Sequence, residues 1–326
     1  LLGGLTFVTV CACLLPTSLP AQSQRGSYVV PKTPYGQPDL QGFWTNATYT
    51  PLERPDGVTT ELYTPEEFTA RIAASANAEA AQTVPGTIPD VHYDFTQFAL
   101  DRSQSPFVED LRTSMIVDPK DGKIPPMTEE GKQRNAARAA AAGGRWDSAQ
   151  SNQLDDRCMI MEGSGPPMMD AGYNANYQIV QSPGHVMILT EMIHDARIIP
   201  LDGRAAPDAK MRQWIGASRG HWEGDTLVVE TTNFNGKNPF QGSSENLRVT
   251  ERFTRVADDM IQYRFTVEDP STWSRAWTAE LPMKATVGPI FEHACHEGNY
   301  GLYNTLVGTR LQEQKAAEAP KPAEKN

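Results

Sequence analysis

The chain has 326 residues, and its 29 Lys and Arg stand against 40 Asp and Glu, a formal charge of −11. That length suits one large domain or two modest ones and buries a sizeable core without staples. An acidic chain with no basic block repels a phosphate backbone, which argues against nucleic acid as a partner. A hydrophobic content of 39% with 25 Gly and 25 Pro fits a loop-rich globular protein and excludes a coiled coil or a membrane bundle.

Leu1 to Pro20 carries no charge, and its apolar stretch from Leu5 to Leu15 is too short to span a bilayer as a helix. It reads as the apolar core and cleavage zone of a secretory signal, with cleavage near Ala21. Without an initiator Met or a basic start, the sequence is expected to begin inside that signal. The alternatives are a structured hydrophobic N-terminus or lipidation at Cys13. The expected location is the periplasm or the exterior of a bacterial cell, with no stable membrane insertion of the mature chain. Beyond the signal two cysteines remain, Cys158 and Cys295. In an oxidising compartment a disulfide between them is the default; two buried thiols are the alternative.

Gln22 to Pro38 is polar and Pro-rich, an extended lead-in. Asp39-Leu40-Gln41-Gly42-Phe43-Trp44 suits a first short strand. Thr64, followed by Pro65, Glu66 and Glu67, starts a helix that runs to about Gln82. Thr128, followed by Glu129 and Glu130, starts a second, which ends at Gly143-Gly144. Val84 to Pro126 is loop-rich, with a turn at Val117 to Lys123. From Tyr173 the pattern changes to β. Strands are expected over 177–181, 186–192, 194–201, 218–223, 226–232, 247–255, 260–268, 273–283 and 290–296. Short turns such as Gly224-Asp225 join them, so the sheet is antiparallel. Leu302 to Gln312 is helix-like, and Ala316 to Asn326 has a disordered composition.

The expected fold is therefore mainly β: an antiparallel meander closing into a lipocalin-like barrel or a sandwich, with a loop-rich extension containing α-helices before it. The divisions are a signal at 1–21, the extension at 22–156, the β domain at 157–312 and a tail at 313–326.

Alternation along the strands picks out candidate site residues. The period of two places Glu251 on the apolar face with Leu247, Val249 and Phe253. A carboxylate there is either an acid–base group in a pocket or half of a structural ion pair with an inward Arg. Trp273, Arg275 and Trp277 share a face in the same pattern, as a structural cluster or as the wall of a ligand site. His194 and Arg197 fall on opposite faces of a regular strand. Arg219, His221 and Glu223 share a face, either functional or solvated. Glu292, His293, His296 and Glu297 surround Cys295. His293 and His296 lack helical ligand spacing, HExxH is absent, and a zinc or iron site there is only a weak signal. GxSxG, GxGxxG and Walker A motifs are also absent; Gly163-Ser164-Gly165 runs into Pro166-Pro167, as in a loop.

Three motifs resemble those of a widespread family of exported bacterial proteins: Arg197-Ile198-Ile199-Pro200-Leu201-Asp202-Gly203-Arg204, Ser218-Arg219-Gly220-His221-Trp222-Glu223-Gly224-Asp225-Thr226-Leu227-Val228-Val229, and Cys295-His296-Glu297-Gly298-Asn299-Tyr300. The likeness extends from about Pro38 to Arg310. It implies export and carries over no activity.

These parts suit a cofactor-independent acid–base enzyme (a lyase, an isomerase or a glycoside-cleaving hydrolase) acting on a ring-bearing small molecule such as a plant-derived glycoside or phenolic. Glu251 is the expected base and His194 or His296 the acid. Arg197, Arg219, His221, Arg275 and Trp277 are expected to bind substrate, with no metal and no organic cofactor. The alternatives are a lipocalin-like binding protein, which needs a pocket and no tuned acid–base pair, and an envelope structural protein.

Overall fold

The computed structural model describes residues 28–81, 110–142, 146–161, 163–169 and 174–318. The expected signal segment, the residues expected to end both helices and most of the tail lie outside these. Ten strands form a single sheet: β1 (Gly42–Thr45), β2 (Ile116–Asp118), β3 (Asn176–Ser182), β4 (His185–Thr190), β5 (Ala196–Pro200), β6 (Ala217–Glu223), β7 (Thr226–Thr232), β8 (Arg248–Ala257), β9 (Met260–Glu268) and β10 (Trp277–Ala285). The order is β5-β4-β3-β1-β10-β9-β8-β7-β6, and β2 pairs with β10 beside β1. Every ladder between named strands is antiparallel.

The sheet curls into a nearly closed barrel. Nine strands cannot all alternate around a ring, so one neighbouring pair must run parallel. That pair is β5 and β6, which touch without a hydrogen-bonded ladder. Their registers start both strands at the same end of the barrel, and residues 201–216 carry the chain back between them. The seam is sealed by side chains: a Cβ on Gly220 of β6 would lie 2.8 Å from Leu201 Cδ2 and 2.9 Å from Ile199 Cγ2. Glycine therefore lets the two strands close.

The ninth barrel strand is not the one expected. Residues 290–296 form no strand, so the alternation assigned to Glu292, His293 and His296 has no sheet to act on. The place is taken by β1, which inserts between β3 and β10. The N-terminal stretch thus supplies two strands of the same sheet. The strand expected from Trp273 begins only at Trp277, because Asp269 to Ala276 form a turn held by amides of Thr272 and Trp273 on the Asp269 carbonyl.

Both capped helices form. In α1 (Pro65–Ala81), Thr64 Oγ1 accepts from the Glu67 amide at 3.2 Å, and Glu67 Oε2 accepts from the Thr64 amide at 2.8 Å. In α2 (Glu129–Ala142), Thr128 Oγ1 accepts from the Gly131 amide. A third helix, α3 (Tyr300–Glu318), extends past the expected Gln312 and buries none of its residues. Among the described residues no helix is long and apolar enough to cross a membrane.

Inward side chains fill the barrel. Trp44, Tyr177, Val229, Phe253, Phe265 and Leu281 are all essentially inaccessible. Aromatic rings meet edge-on or tilted, as between Phe253 and Tyr263 at 4.9 Å and between Trp273 and Trp277 at 5.8 Å. The interior is a packed core, not an open ligand chamber.

Candidate functional site

A charged cluster interrupts that core. Glu251 of β8 is 0% exposed and Arg197 of β5 is 8% exposed. Arg197 grips the carboxylate with both terminal nitrogens, Nη1 on Oε2 at 2.6 Å and Nη2 on Oε1 at 3.0 Å. The Tyr263 hydroxyl of β9 donates to Oε1 at 2.8 Å and accepts from the Met168 amide at 2.9 Å. Burial and then the Glu251 charge push the Tyr263 phenol well above its ordinary pKa, so it stays a donor. Burial opposes the Arg197 charge, but Glu251's charge and hydrogen bonds outweigh it and the guanidinium's pKa ends raised.

This cluster holds a plug. Residues 163–169 turn into the end of the barrel where β3, β5, β6, β8 and β10 begin. Besides the Tyr263 bond, Asn46 Nδ2 donates to the Met168 carbonyl, and the Tyr177 hydroxyl donates to the Met169 carbonyl, each at 3.3 Å. A Cβ on Gly165 would sit 2.9 Å from Ile215 Cγ2, so glycine is needed for the plug to seat.

Above the plug lies a cleft of about 340 Å³. Its floor is Gly163, Gly165, Pro166 and Pro167, and Ile160, Trp214, Phe234 and Phe240 are in its apolar walls. Phe240 stacks on Trp277 at 5.9 Å, which fixes its ring. Gln153, Asp155, Lys237, Asn238 and Gln241 bring polar groups, and the Lys237 ammonium lies 5.9 Å from the centre of the Trp214 ring.

The wall containing Lys237 to Gln241 is a loop fastened from two sides. Arg138 of α2 donates to the carbonyls of Gly236, Gly242 and Ser243. Asp269, almost fully buried, accepts from the Ser244 amide at 2.6 Å and the Thr272 hydroxyl at 2.6 Å. Burial alone would raise the Asp269 pKa; these hydrogen bonds outweigh it and hold the carboxyl below its usual value. A depressed carboxyl stabilises the fold fully above the unfolded value, about 4, and loses its contribution as pH falls through the lower folded value. We expect Asp269→Asn to cost about 1–3 kcal/mol at neutral pH and to flatten the acid limb of thermal stability. Calorimetry between pH 7 and 3 checks this, and an acid limb identical to the wild type would refute it.

The residues singled out from the sequence do not gather in one place. Glu251 and Arg197 meet inside the barrel. His194 stands exposed in a single-turn helix before β5, at a φ of 60°. His296 is exposed beside the disulfide. Neither histidine lines the cleft. Arg219 and His221 lie on the outer face of β6: Arg219 donates to the carbonyls of Ser218 and Ala205, and His221 Nε2 is 3.2 Å from Glu223 Oε1. Arg252 also donates to Glu223, and Arg252 followed by His221 lowers the Glu223 pKa. Arg275 and Trp277 do not share a face: Arg275 is exposed and pairs with Asp118 at 2.7 Å, whereas Trp277 is buried behind Phe240. Their common face required strand geometry at residue 275, and that residue belongs to the preceding turn.

Alternation could not find the cleft residues, because they sit on loops. The visible signals were Gly163-Ser164-Gly165-Pro166-Pro167 and two phenylalanines, Phe234 and Phe240, in a segment otherwise rich in Asn and Gly.

No protein-family model matches the chain, and no curated protein matches it. Among solved structures it is similar to a secretary abundant heat soluble (SAHS) protein from Ramazzottius varieornatus, at 13% identity over 46% of this chain and 84% of that one. The TM-score is 0.25, a likeness too slight to bear on function.

Proposed function

We propose that the protein is an exported small-molecule-binding protein whose ligand occupies the cleft at the plugged end of the barrel. The observation that carries this is the contrast between a filled lumen and a cleft of about 340 Å³ with aromatic walls and polar groups, the usual make-up of a ligand site. The flat faces of Trp214 and Phe240 favour a ring-bearing molecule, such as a phenolic or a glycoside. Export is supported by the Cys158–Cys295 disulfide and by the resemblance of three motifs to exported bacterial proteins. Acid–base catalysis has less behind it: Glu251 is committed to Arg197 and Tyr263, and both histidines stand apart from it.

The test is fluorescence titration with 1-anilinonaphthalene-8-sulfonate and with 4-methylumbelliferyl glucoside. We expect saturable one-to-one binding of at least one probe. Trp214→Ala should weaken it about tenfold, the order of one aromatic stacking contact, and leave the half-exposed site folded. No saturable binding, or equal affinity in the variant, would overturn the proposal. Release of methylumbelliferone would favour the enzyme instead.

A further inference from the structure

A second, much smaller pocket lies outside the barrel, where the N-terminal stretch packs beside β2. It has about 30 Å³ of space and is lined by Arg54, Glu61, Arg112, Ser114, Val117 and Lys120, with Ile116 behind them. Arg54 is the unusual member. It is only 7% exposed, yet among the described residues no carboxylate pairs with it. Its Nε donates to Thr113 Oγ1 at 3.0 Å and its Nη1 to the Lys120 carbonyl at 3.1 Å, both neutral acceptors.

The surroundings are built to hold that guanidinium in place. The turn at 119–122 folds over it: the Arg54 amide donates to the Gly122 carbonyl at 2.8 Å, and a Cβ on Gly122 would lie 3.2 Å from Arg54 Cζ. Gly122 has a φ of +70°, so both its backbone and its missing side chain serve the packing. An arginine does not escape burial by losing its proton. A buried charge without a counter-charge is costly, and proteins normally supply one. Here the two other cations at the pocket, Arg112 and Lys120, raise the positive potential. Arg112 is largely neutralised by Glu280 at 2.6 Å and Asp110 at 3.8 Å, so Lys120, held only loosely by Glu61 at 3.8 Å, is the freer of the two.

We propose that this pocket binds a small oxyanion, a phosphate or carboxylate group, with Arg54 as the principal ligand and Lys120 at the rim. The N–H groups of the Arg54 guanidinium that Thr113 and the Lys120 carbonyl do not use can donate to the oxygens of such a group. The site is separate from the cleft and does not depend on the function proposed for it.

The test is calorimetric titration of the full chain with sodium phosphate and with sodium acetate, at constant ionic strength set by sodium chloride. We expect one equivalent of at least one anion to bind, and the two arms tell phosphate from carboxylate. Arg54→Met should weaken binding tenfold or more, the order of a charged hydrogen-bonding partner. Lys120→Met, at a side chain 79% exposed, should weaken it a few-fold with an unchanged melting temperature. Trp214→Ala should leave anion binding intact. Neither anion binding saturably to the wild type, or Arg54→Met binding as tightly, overturns the proposal. Should Arg54→Met fail to fold, the wild-type stoichiometry and the Lys120→Met difference decide: equal affinity in Lys120→Met then counts against it.

Discussion

Glu251→Gln should destabilise the protein by about 3–5 kcal/mol, the usual cost of removing one partner from a buried pair. The substitution preserves shape, so the loss is electrostatic. Arg197 would remain in the lumen at 8% exposure, facing an amide in place of a carboxylate. The pair also spans the barrel from β5 to β8, and β5 is one of the two strands that lack a hydrogen-bonded neighbour across the seam. Its loss should therefore be felt at the seam and at the plug, since Tyr263 links Glu251 to the Met168 amide. Replacing both partners, as in Arg197→Met with Glu251→Leu, should recover part of the loss, because no charge is then stranded. Urea denaturation of the two single variants and the double variant measures this. A Glu251→Gln loss below about 1 kcal/mol would contradict a structural role and return Glu251 to the list of catalytic candidates.

Removing the Cys158–Cys295 disulfide should cost about 2–5 kcal/mol, because a bridge across a long loop restricts the unfolded chain strongly; here the sequence separation is 137 residues. The local consequence is as informative as the global one. Helix α3 buries none of its residues. Besides the bridge, it and the segment before it are tied down by Asn299 donating to the Asp156 carbonyl at 2.7 Å, by Thr309 on the Trp146 carbonyl, and by Arg310 on the Asp147 carbonyl. Few exposed hydrogen bonds hold a helix weakly. Reduction should thus let α3 exchange its amide hydrogens freely. Cys158 also adjoins Ile160 and Met161 in the cleft wall, so probe affinity in the cleft should fall with it. Mass mapping of non-reduced protein, then hydrogen exchange and urea denaturation of Cys158→Ala/Cys295→Ala, check each part. Native protein in which both thiols alkylate would refute the bridge.

The strands were legible where one face is buried. Over 247–253 the alternation of Leu247, Val249, Glu251 and Phe253 with polar residues marks both the strand and its inward side, because side chains in a strand alternate between faces. The inward position of Glu251 followed from the same rule. So did both helix starts, since a Thr hydroxyl accepts a free amide of the first turn in each, and Glu67, three residues after Thr64, completes a capping box in the first. The cysteine pairing followed from there being only two beyond the expected signal segment.

What alternation left undecided was the identity of partners. It placed Glu251 inward and left the choice between a catalytic group and an ion pair open, because the answer depends on Arg197, 54 residues away. It suggested a strand at 290–296, where alternating polar groups mimic the pattern of an edge, while the barrel is completed by β1, more than 200 residues earlier. Nine strands require one parallel seam, and only the closed tertiary structure decides that it falls between β5 and β6. The cleft was hidden for the same reason: loops have no period, and Ile160, Trp214 and Phe240 come together only because the barrel brings the ends of its strands to one mouth. Local residue order determined which segments became strands and helices and which way their side chains point, since steric pleating and capping act over a few residues. Only the tertiary structure decided which buried groups neutralise one another and where a ligand fits, because those depend on contacts between segments that the chain keeps far apart.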